Sequence, residues 1–307
     1  MTFTTAPCTA SRPRPRASAA AIGLLLLIAL IGCAATPQET PGPLRPETVV
    51  AVTEAGELIR FNAGQPQRLL QRQPLKGLDA GDPLVGIDYR VARGVLYALS
   101  ASGRLYTLDA DTAQLVRVGA GMPVALQGRR FAFDFNPVVD RVRVLSDSGQ
   151  NLRLHPDTGA LVAADTAVTA PAAAPATAPG ASTAVPAVQS GVNLAGAAYT
   201  YNTRDNKLTS LYVIDLNSST LMLQGSREDV QPVVSPNTGQ LTVVGSLNTG
   251  PLQDADFDIA DVNNAALAAL RAGGRTRLHA IDLATGRATA IGTVGDGGAL
   301  RGMAIVP

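Results

Sequence analysis

The chain has 307 residues, of which 46% are hydrophobic and 16% are charged, and its 25 basic and 24 acidic side chains give a formal net charge of +1. A balance this close to neutral excludes the basic surface that nucleic-acid binding requires. Only two cysteines and two histidines occur, so a cysteine-rich zinc site is excluded too. The length suits one large β domain or two smaller ones.

The N-terminal segment predicts export and lipid attachment. Three arginines precede an apolar run from Ala19 to Ile31, which is shorter than the roughly 20 residues that a membrane-spanning helix needs. This is the pattern of a signal peptide. The run ends in Leu30-Ile31-Gly32-Cys33, which resembles the lipobox of bacterial lipoproteins. We therefore predict a lipoprotein signal peptide over residues 1–32 and lipidation of Cys33. The alternatives are an uncleaved anchor and an ordinary signal peptide with a chance cysteine.

Cleavage there defines the mature chain and its location. Residues 1–32 hold three arginines and no acid, so the net charge falls to −2, and Cys33 becomes the sole cysteine, which excludes a disulfide. Ala34 rather than aspartate follows it, which resembles lipoproteins sent to an outer membrane. The proline-rich residues 33–47 predict a tether to a domain over residues 48–307. The expected location is the cell envelope, with the membrane contacted through the lipid.

Short alternating apolar segments beyond the tether predict an all-β domain. Four consecutive examples are Val85–Tyr89, Val95–Leu99, Leu105–Leu108 and Leu115–Val118, each with the length and β-branching of a strand. The alanine-rich segment Val262–Ala272 has a helical composition, although neighbouring strands can override that propensity.

One strand pattern recurs along the chain and predicts a repeat. Its central residue occurs at intervals of 46, 64, 60 and 46 residues: Asp88, Asp134, Ala198, Asp258 and Ala304. Units of 40–50 residues with four strands are typical of β-propeller blades. The first enlarged interval contains a low-complexity Ala/Pro-rich insert over residues 165–190, which predicts a surface loop.

The two ends of the domain complement one another. It begins with an incomplete unit of three strands, Val49–Val52, Leu58–Phe61 and Gln67–Leu70, and it ends with the isolated strand Gly302–Val306. We predict that this last strand completes the first unit and closes a β-propeller of five four-stranded blades. Closure leaves no free sheet ends. An open β-sandwich and a six-bladed ring are the alternatives.

One stretch carries a specific resemblance. Phe131-Ala132-Phe133-Asp134-Phe135-Asn136-Pro137, with Gly86-Ile87-Asp88-Tyr89-Arg90 upstream, resembles a bacterial family known as domain of unknown function 4394, over roughly Val49 to Pro307. The chain departs from that pattern at the insert and at His155. The resemblance implies a secreted, repeat-built β domain and no established activity, so no catalytic residue is predicted.

Three aspartates form the first candidate site. Asp88, Asp134 and Asp258 share one position of the repeat, so the innermost strands of a propeller would bring them together near its axis. Such a set suits a hard cation, and calcium is the possible cofactor. Alternatively, each carboxylate accepts hydrogen bonds from the next blade or pairs with an arginine such as Arg90, Arg141 or Arg301.

The second candidate site concentrates charge in one blade. Asn136, Arg141, Arg143 and Arg153 could bind an anionic ligand, since arginine recognises carboxylates with two hydrogen bonds. The alternative is a salt-bridge network between blades. The glycine-rich loop from Gly292 to Gly298 precedes a strand rather than a helix, so it predicts no phosphate site.

Together these features predict a lipid-anchored binding or scaffolding module of the cell envelope. Its expected partners are the membrane, an envelope protein or a small ligand, and no nucleic acid. A calcium-dependent propeller hydrolase, such as a lactonase, and a passive structural lipoprotein are the alternatives.

Overall fold

The computed structural model describes residues 1–4, 39–119, 123–170 and 191–307. The chain divides into two compact units, Met1–Gln38 and Glu39–Pro307. Cys33, nearly all of the predicted signal peptide and residues 171–190 of the predicted insert lie outside the described residues. Within the described part of the chain, no helix has the length and apolar character to cross a membrane.

Five antiparallel sheets of four strands form the second unit. Blade 1 contains β1 (Thr48–Thr53), β2 (Glu57–Asn62), β3 (Leu69–Pro74) and β20 (Leu300–Ile305); blade 2 contains β4 (Leu84–Arg90), β5 (Val95–Ser100), β6 (Leu105–Leu108) and β7 (Leu115–Arg117); blade 3 contains β8 (Phe131–Asn136), β9 (Arg141–Ser146), β10 (Asn151–Leu154) and β11 (Leu161–Ala164); blade 4 contains β12 (Leu194–Tyr199), β13 (Leu211–Asp215), β14 (Thr220–Gln224) and β15 (Leu241–Ser246); blade 5 contains β16 (Asp254–Ile259), β17 (Ala266–Ala272), β18 (Arg275–Ile281) and β19 (Ala288–Thr293). Two single-turn 3₁₀ helices, Val91–Arg93 and Pro236–Thr238, complete the described elements.

The sheets close into a ring. The innermost strands β4, β8, β12, β16 and β20 contact one another in cyclic order. The C-terminal strand β20 pairs with β1, with Ala51 opposite Met303, and so completes blade 1. The prediction of an all-β propeller with five four-stranded blades is therefore confirmed, and the alternatives of an open sandwich and a six-bladed ring are wrong.

The segment with helical composition is a strand. Ala266–Ala272 forms β17, which pairs with β16 on one side and β18 on the other. Ala268 and Ala269 point to opposite faces of this strand, and both are buried. Packing between two neighbouring blades overrides the helical propensity of alanine here, because each of its faces is covered by another sheet.

An apolar cluster fills each of the five junctions between neighbouring blades. Between blades 2 and 3, for example, the rings of Tyr97 and Phe135 meet edge to face with their centroids 5.1 Å apart, a favoured aromatic geometry. Both faces of a blade are therefore covered, and all six residues of β12 are buried.

Glycines let the innermost strands approach closely. A Cβ atom on Gly86 would lie 2.4 Å from Cβ of Phe133 on β8, and one on Gly196 would lie 2.8 Å from Cβ of Phe257 on β16. Neither position has room for a side chain. The close approach brings the side chains that face the axis within reach of one another.

Backbone contacts also link blades at the periphery. The segment after the outer strand of a blade meets a turn of the next blade, as in the hydrogen bonds Lys76 N–H to Ala113 O (2.9 Å), Thr166 N–H to Asn237 O (3.1 Å) and Gly295 N–H to Pro66 O (2.9 Å). We call these contacts the outer belt. They hold the ring from outside while the innermost strands hold it from inside.

The segment predicted as a tether is partly packed on the ring. The compact unit begins at Glu39, whose carboxylate accepts a hydrogen bond from the Thr293 N–H at 2.7 Å. A Cβ on Gly64 would lie 1.9 Å from the Pro43 carbonyl oxygen, so the backbones touch there. Residues 39–47 therefore lie against blades 1 and 5.

Candidate functional site

The three predicted aspartates converge at the axis of the ring. Asp88, Asp134 and Asp258 occupy the same position near the C-terminal ends of β4, β8 and β16, and one carboxylate oxygen from each lies within 4.8 Å of the others. Their exposed fractions are only 4%, 4% and 6%. We call these residues and the equivalent alanines Ala198 and Ala304 the axial layer.

Five backbone N–H groups donate hydrogen bonds to these three carboxylates. Each belongs to the residue that follows an axial-layer position. Asp88 accepts from Tyr89 (2.7 Å) and from Phe135 of the next blade (2.8 Å). Asp258 accepts from Ile259 and from Ile305 of the next blade, both at 2.6 Å. The carboxylates thus satisfy main-chain donors that the close approach of the strands has removed from water.

Asp134 differs from the other two aspartates. Only its Oδ2 accepts a backbone hydrogen bond, from Tyr199 of the next blade at 2.8 Å. The layer therefore links three of the five junctions through a side chain. At the other two junctions the preceding blade supplies Ala198 or Ala304, and the N–H groups of Ile259 and Tyr89 bond to the aspartate of their own strand instead.

Burial makes these carboxyl groups retain protons. Removal from water raises the pKa of Asp88 and Asp134 well above the ordinary range, and the charges of neighbouring aspartates raise both further. Burial raises the pKa of Asp258 to about 7, against the lowering effect of the hydrogen bonds from Ile305 and Ile259. A protonated carboxyl group can donate to a neighbouring carboxylate, so the layer can hold protons between its members.

A tyrosine that the sequence analysis did not single out lies beside this layer. Tyr201 follows β12, and burial, followed by the charges of the three axial aspartates, raises its pKa. The side chain of Asn264 in blade 5 holds the backbone of Tyr201 with two hydrogen bonds of 2.8 Å. Its Nδ2 donates to the Tyr201 carbonyl, and its Oδ1 accepts from the Tyr201 N–H. Asn264 has a φ of 54°, a left-handed conformation that asparagine tolerates. Only the three-dimensional arrangement reveals this pairing, since 63 residues separate the partners.

The second predicted set divides into two groups. Asn136 accepts from the N–H groups of Val138 and Val139, and Arg141 donates to the Asp140 carbonyl, so both stay within the turn between β8 and β9. The other two, Arg143 and Arg153, share Asp165 as a partner. The structure does not bring all four residues together.

Arg143 is the centre of a buried network between blades 3 and 4. It is 2% exposed and donates to Asp165 (2.7 Å), Asn151 (2.7 Å), Asn237 (2.7 Å) and the Tyr199 hydroxyl (3.1 Å). Protein acceptors therefore surround the guanidinium, which corresponds to the predicted alternative of a network between blades. Arg90 and Arg301 likewise pair with Asp140 and Glu54 rather than with the axial aspartates.

The sequence matches the family described as Domain of unknown function (DUF4394) over residues 57–304. The chain belongs to the DUF4394 family. This confirms the resemblance found in the sequence, which rested on the strand that carries Asp134 and on its counterparts. No curated protein matches the chain.

Known structures resemble this DUF4394 chain at low identity. Glutaminyl cyclase of Myxococcus xanthus is 15% identical, with 75% of this chain and 84% of that chain covered and a TM-score of 0.44. TolB from Acinetobacter baumannii is 12% identical, with 85% and 67% covered and a TM-score of 0.42. A putative 6-phosphogluconolactonase from Bacteroides uniformis is 15% identical, with 80% and 82% covered and a TM-score of 0.38.

Arg143→Met in the DUF4394 domain is expected to lower the free energy of unfolding by about 3 kcal/mol, because it leaves buried acceptors without their donor. Arg153→Met is the matched control. Its side chain is 27% exposed, so we expect a loss of about 1 kcal/mol. Urea unfolding of the two variants measures the difference, and equal losses would show that the network has no special role.

Proposed function

We propose that this DUF4394 protein is a lipid-anchored binding or scaffolding module of the cell envelope, in which the ring serves as a rigid frame. The hydrogen bonding of the axial layer carries the proposal. Asp88, Asp134 and Asp258 accept five main-chain hydrogen bonds and connect innermost strands. Carboxylates used in this way hold the frame together and leave recognition to the surface loops.

The Leu-Ile-Gly-Cys sequence supports an anchor at Cys33, and Ala34 supports delivery to an outer membrane. The partners of the anchored protein are then the membrane, which it contacts through the lipid, and an envelope protein or small ligand. The near-neutral charge gives no support to a nucleic-acid partner.

Cys33→Ser is expected to release the protein from the membrane fraction into the soluble extract of the envelope. The unchanged chain is expected in the membrane pellet and in the detergent phase, since lipid chains on one residue provide stable anchoring. Immunoblotting of fractions from a Gram-negative host measures this. Cys8→Ser is the control, because Cys8 lies before the predicted cleavage site. A soluble unchanged protein would contradict the anchor.

A calcium-dependent hydrolase is the second candidate, and the convergence of three carboxylate oxygens within 4.8 Å favours it. The donor set fits calcium poorly. Calcium takes six to eight oxygen ligands. Five of the six carboxylate oxygens here each accept a backbone N–H, and alanines occupy the other two positions of the layer.

Calorimetric titration of the protein with calcium is expected to show no saturable heat and no change in melting temperature. An Asp88→Asn/Asp134→Asn double variant is the control. Heat that saturates with the unchanged protein and disappears with the double variant would contradict the scaffold role of the layer and favour the hydrolase, with lactones and esters as the first substrates to test.

A further inference from the structure

A cleft of about 350 Å³ opens between blades 1 and 5, beside the closing strand β20. Its volume falls in the range of small-molecule sites, about 300–1,000 Å³. The floor is apolar and is formed by Ile59, Leu69, Val294 and Leu300, which belong to or pack against the core cluster of this junction. A ligand that entered would therefore meet the side of the apolar core.

The glycine-rich loop before β20 forms one wall of this cleft. Gly295 and Gly298 line it, together with the side chain of Asp296. A Cβ on Gly298 would meet only the Asp296 carboxylate, at 3.1 Å, and one on Gly295 would lie 3.6 Å from Leu69. Gly295 has a φ of 53°, which favours glycine, and a side chain at Gly298 would occupy open space beside Asp296.

The charges at the mouth of the cleft favour a positively charged ligand. Arg72, the guanidinium among the lining residues, donates two hydrogen bonds to Glu57, at 2.9 and 2.6 Å. Its Nη1 also lies 3.9 Å from Oδ2 of Asp296, at the outer limit of an ion pair between two exposed side chains. Oδ1 of Asp296 accepts the Gly298 N–H at 2.9 Å, and its Oδ2 accepts no hydrogen bond from the described residues. Glu54 lines the same mouth.

We propose that this cleft binds a small organic cation, with an apolar body against Ile59 and Leu69 and an ammonium group at Oδ2 of Asp296. The inference rests on the proposed binding function and deepens it by naming the class of ligand. Three carboxylates, those of Glu54, Glu57 and Asp296, meet two guanidiniums here, those of Arg72 and Arg301. The net negative charge attracts a cation. An anion of the same size would face the carboxylate of Asp296, while the guanidiniums of Arg72 and Arg301 already pair with Glu57 and Glu54.

Three probes of similar size and different charge test this proposal. Calorimetry on the purified full chain compares 2-phenylethylamine, 2-phenylethanol and 3-phenylpropionate. We expect the amine to bind about five-fold more tightly than the alcohol, as for a partly exposed ion pair, and the carboxylate to bind most weakly. Raising the salt concentration is expected to weaken binding of the amine alone. Equal binding of the three probes, or binding of none, would overturn the proposal.

Asp296→Asn identifies the group responsible. The amide oxygen can still accept the Gly298 N–H, so the loop keeps its hydrogen bond, and we expect about a five-fold loss for the amine with no change for the alcohol. Asp229→Asn changes the net charge equally at an exposed residue of blade 4 and is expected to change neither affinity. Unaltered amine binding in Asp296→Asn would refute the assignment. If the amine does not bind but the protein is still attached to the membrane, the cation site is refuted and the proposed envelope function is not.

Discussion

Asp258→Ala is expected to lower the free energy of unfolding by about 4 kcal/mol. The substitution removes the acceptor of two buried N–H groups, those of Ile259 and Ile305, and each unsatisfied buried group costs about 1–3 kcal/mol. Ile305 belongs to the closing strand β20, so the loss falls on the junction that completes the ring.

Asparagine substitutions separate the two kinds of axial aspartate. In Asp258 both oxygens accept backbone N–H groups, so Asp258→Asn loses one acceptor and is expected to cost about 2 kcal/mol. In Asp134 one oxygen accepts, and the raised pKa already favours the uncharged form. Asp134→Asn is therefore expected to be neutral or slightly stabilising.

Urea unfolding at pH 7, followed by far-ultraviolet circular dichroism, measures these differences. The ordering of stability should be Asp134→Asn, then Asp258→Asn, then Asp258→Ala. Equal effects of the two asparagine substitutions would show that the count of accepted N–H groups does not set the stability of the axial layer.

The ring is expected to be more stable in mildly acidic solution than at neutral pH. Burial raises the pKa of Asp258 from its ordinary value to about 7, so the folded state binds more protons than the unfolded state between about pH 4 and 7. This contribution to stability is fully present below about pH 4 and is lost as the pH rises through 7. One proton changes the stability by about 1.4 kcal/mol per pH unit, or about 4 kcal/mol over this interval.

Asp165 sets the acid limit of this effect. Burial acts to raise the pKa of Asp165, but hydrogen bonds from Arg153 and Arg143 outweigh it and hold the pKa below its ordinary value. The stability that this ion pair contributes is present above the unfolded pKa, about 3.9, and is lost as the pH falls through the lower folded value. Maximum stability is therefore expected between about pH 4 and 5.

Thermal melting from pH 3 to 9 tests this profile. The melting temperature should fall between about pH 4 and 7, and Asp258→Asn should flatten that fall because it removes one of the groups that titrates. A melting temperature that rises steadily from about pH 4 to 7 would contradict the buried-proton explanation.

Much of the fold follows from local sequence patterns. The interval of 46 residues between Asp88 and Asp134 contains four short strands, which predicts the four-stranded blade. The isolated strand near Met303 predicts closure of the ring. The composition of Ala266–Ala272 misleads, because the burial of both faces of β17 depends on blades that the segment itself does not encode.

The candidate site was less accessible to sequence reasoning. The repeat position alone predicts that Asp88, Asp134 and Asp258 converge, as they do. Which N–H groups they accept depends on how closely neighbouring strands approach, and no local pattern reports that distance. The bond between Arg143 and Asn237 joins residues 94 positions apart, so its partner is set by the packing of blade 4 on blade 3.

The closing strand also protects the ring against association with other chains. When residues 300–305 are not paired, β1 has a free edge and Asp258 lacks its donor from Ile305. A ring without this strand therefore exposes a sheet edge that can pair with another chain. Resistance to aggregation thus depends on a strand that lies about 250 residues along the chain from its partner β1.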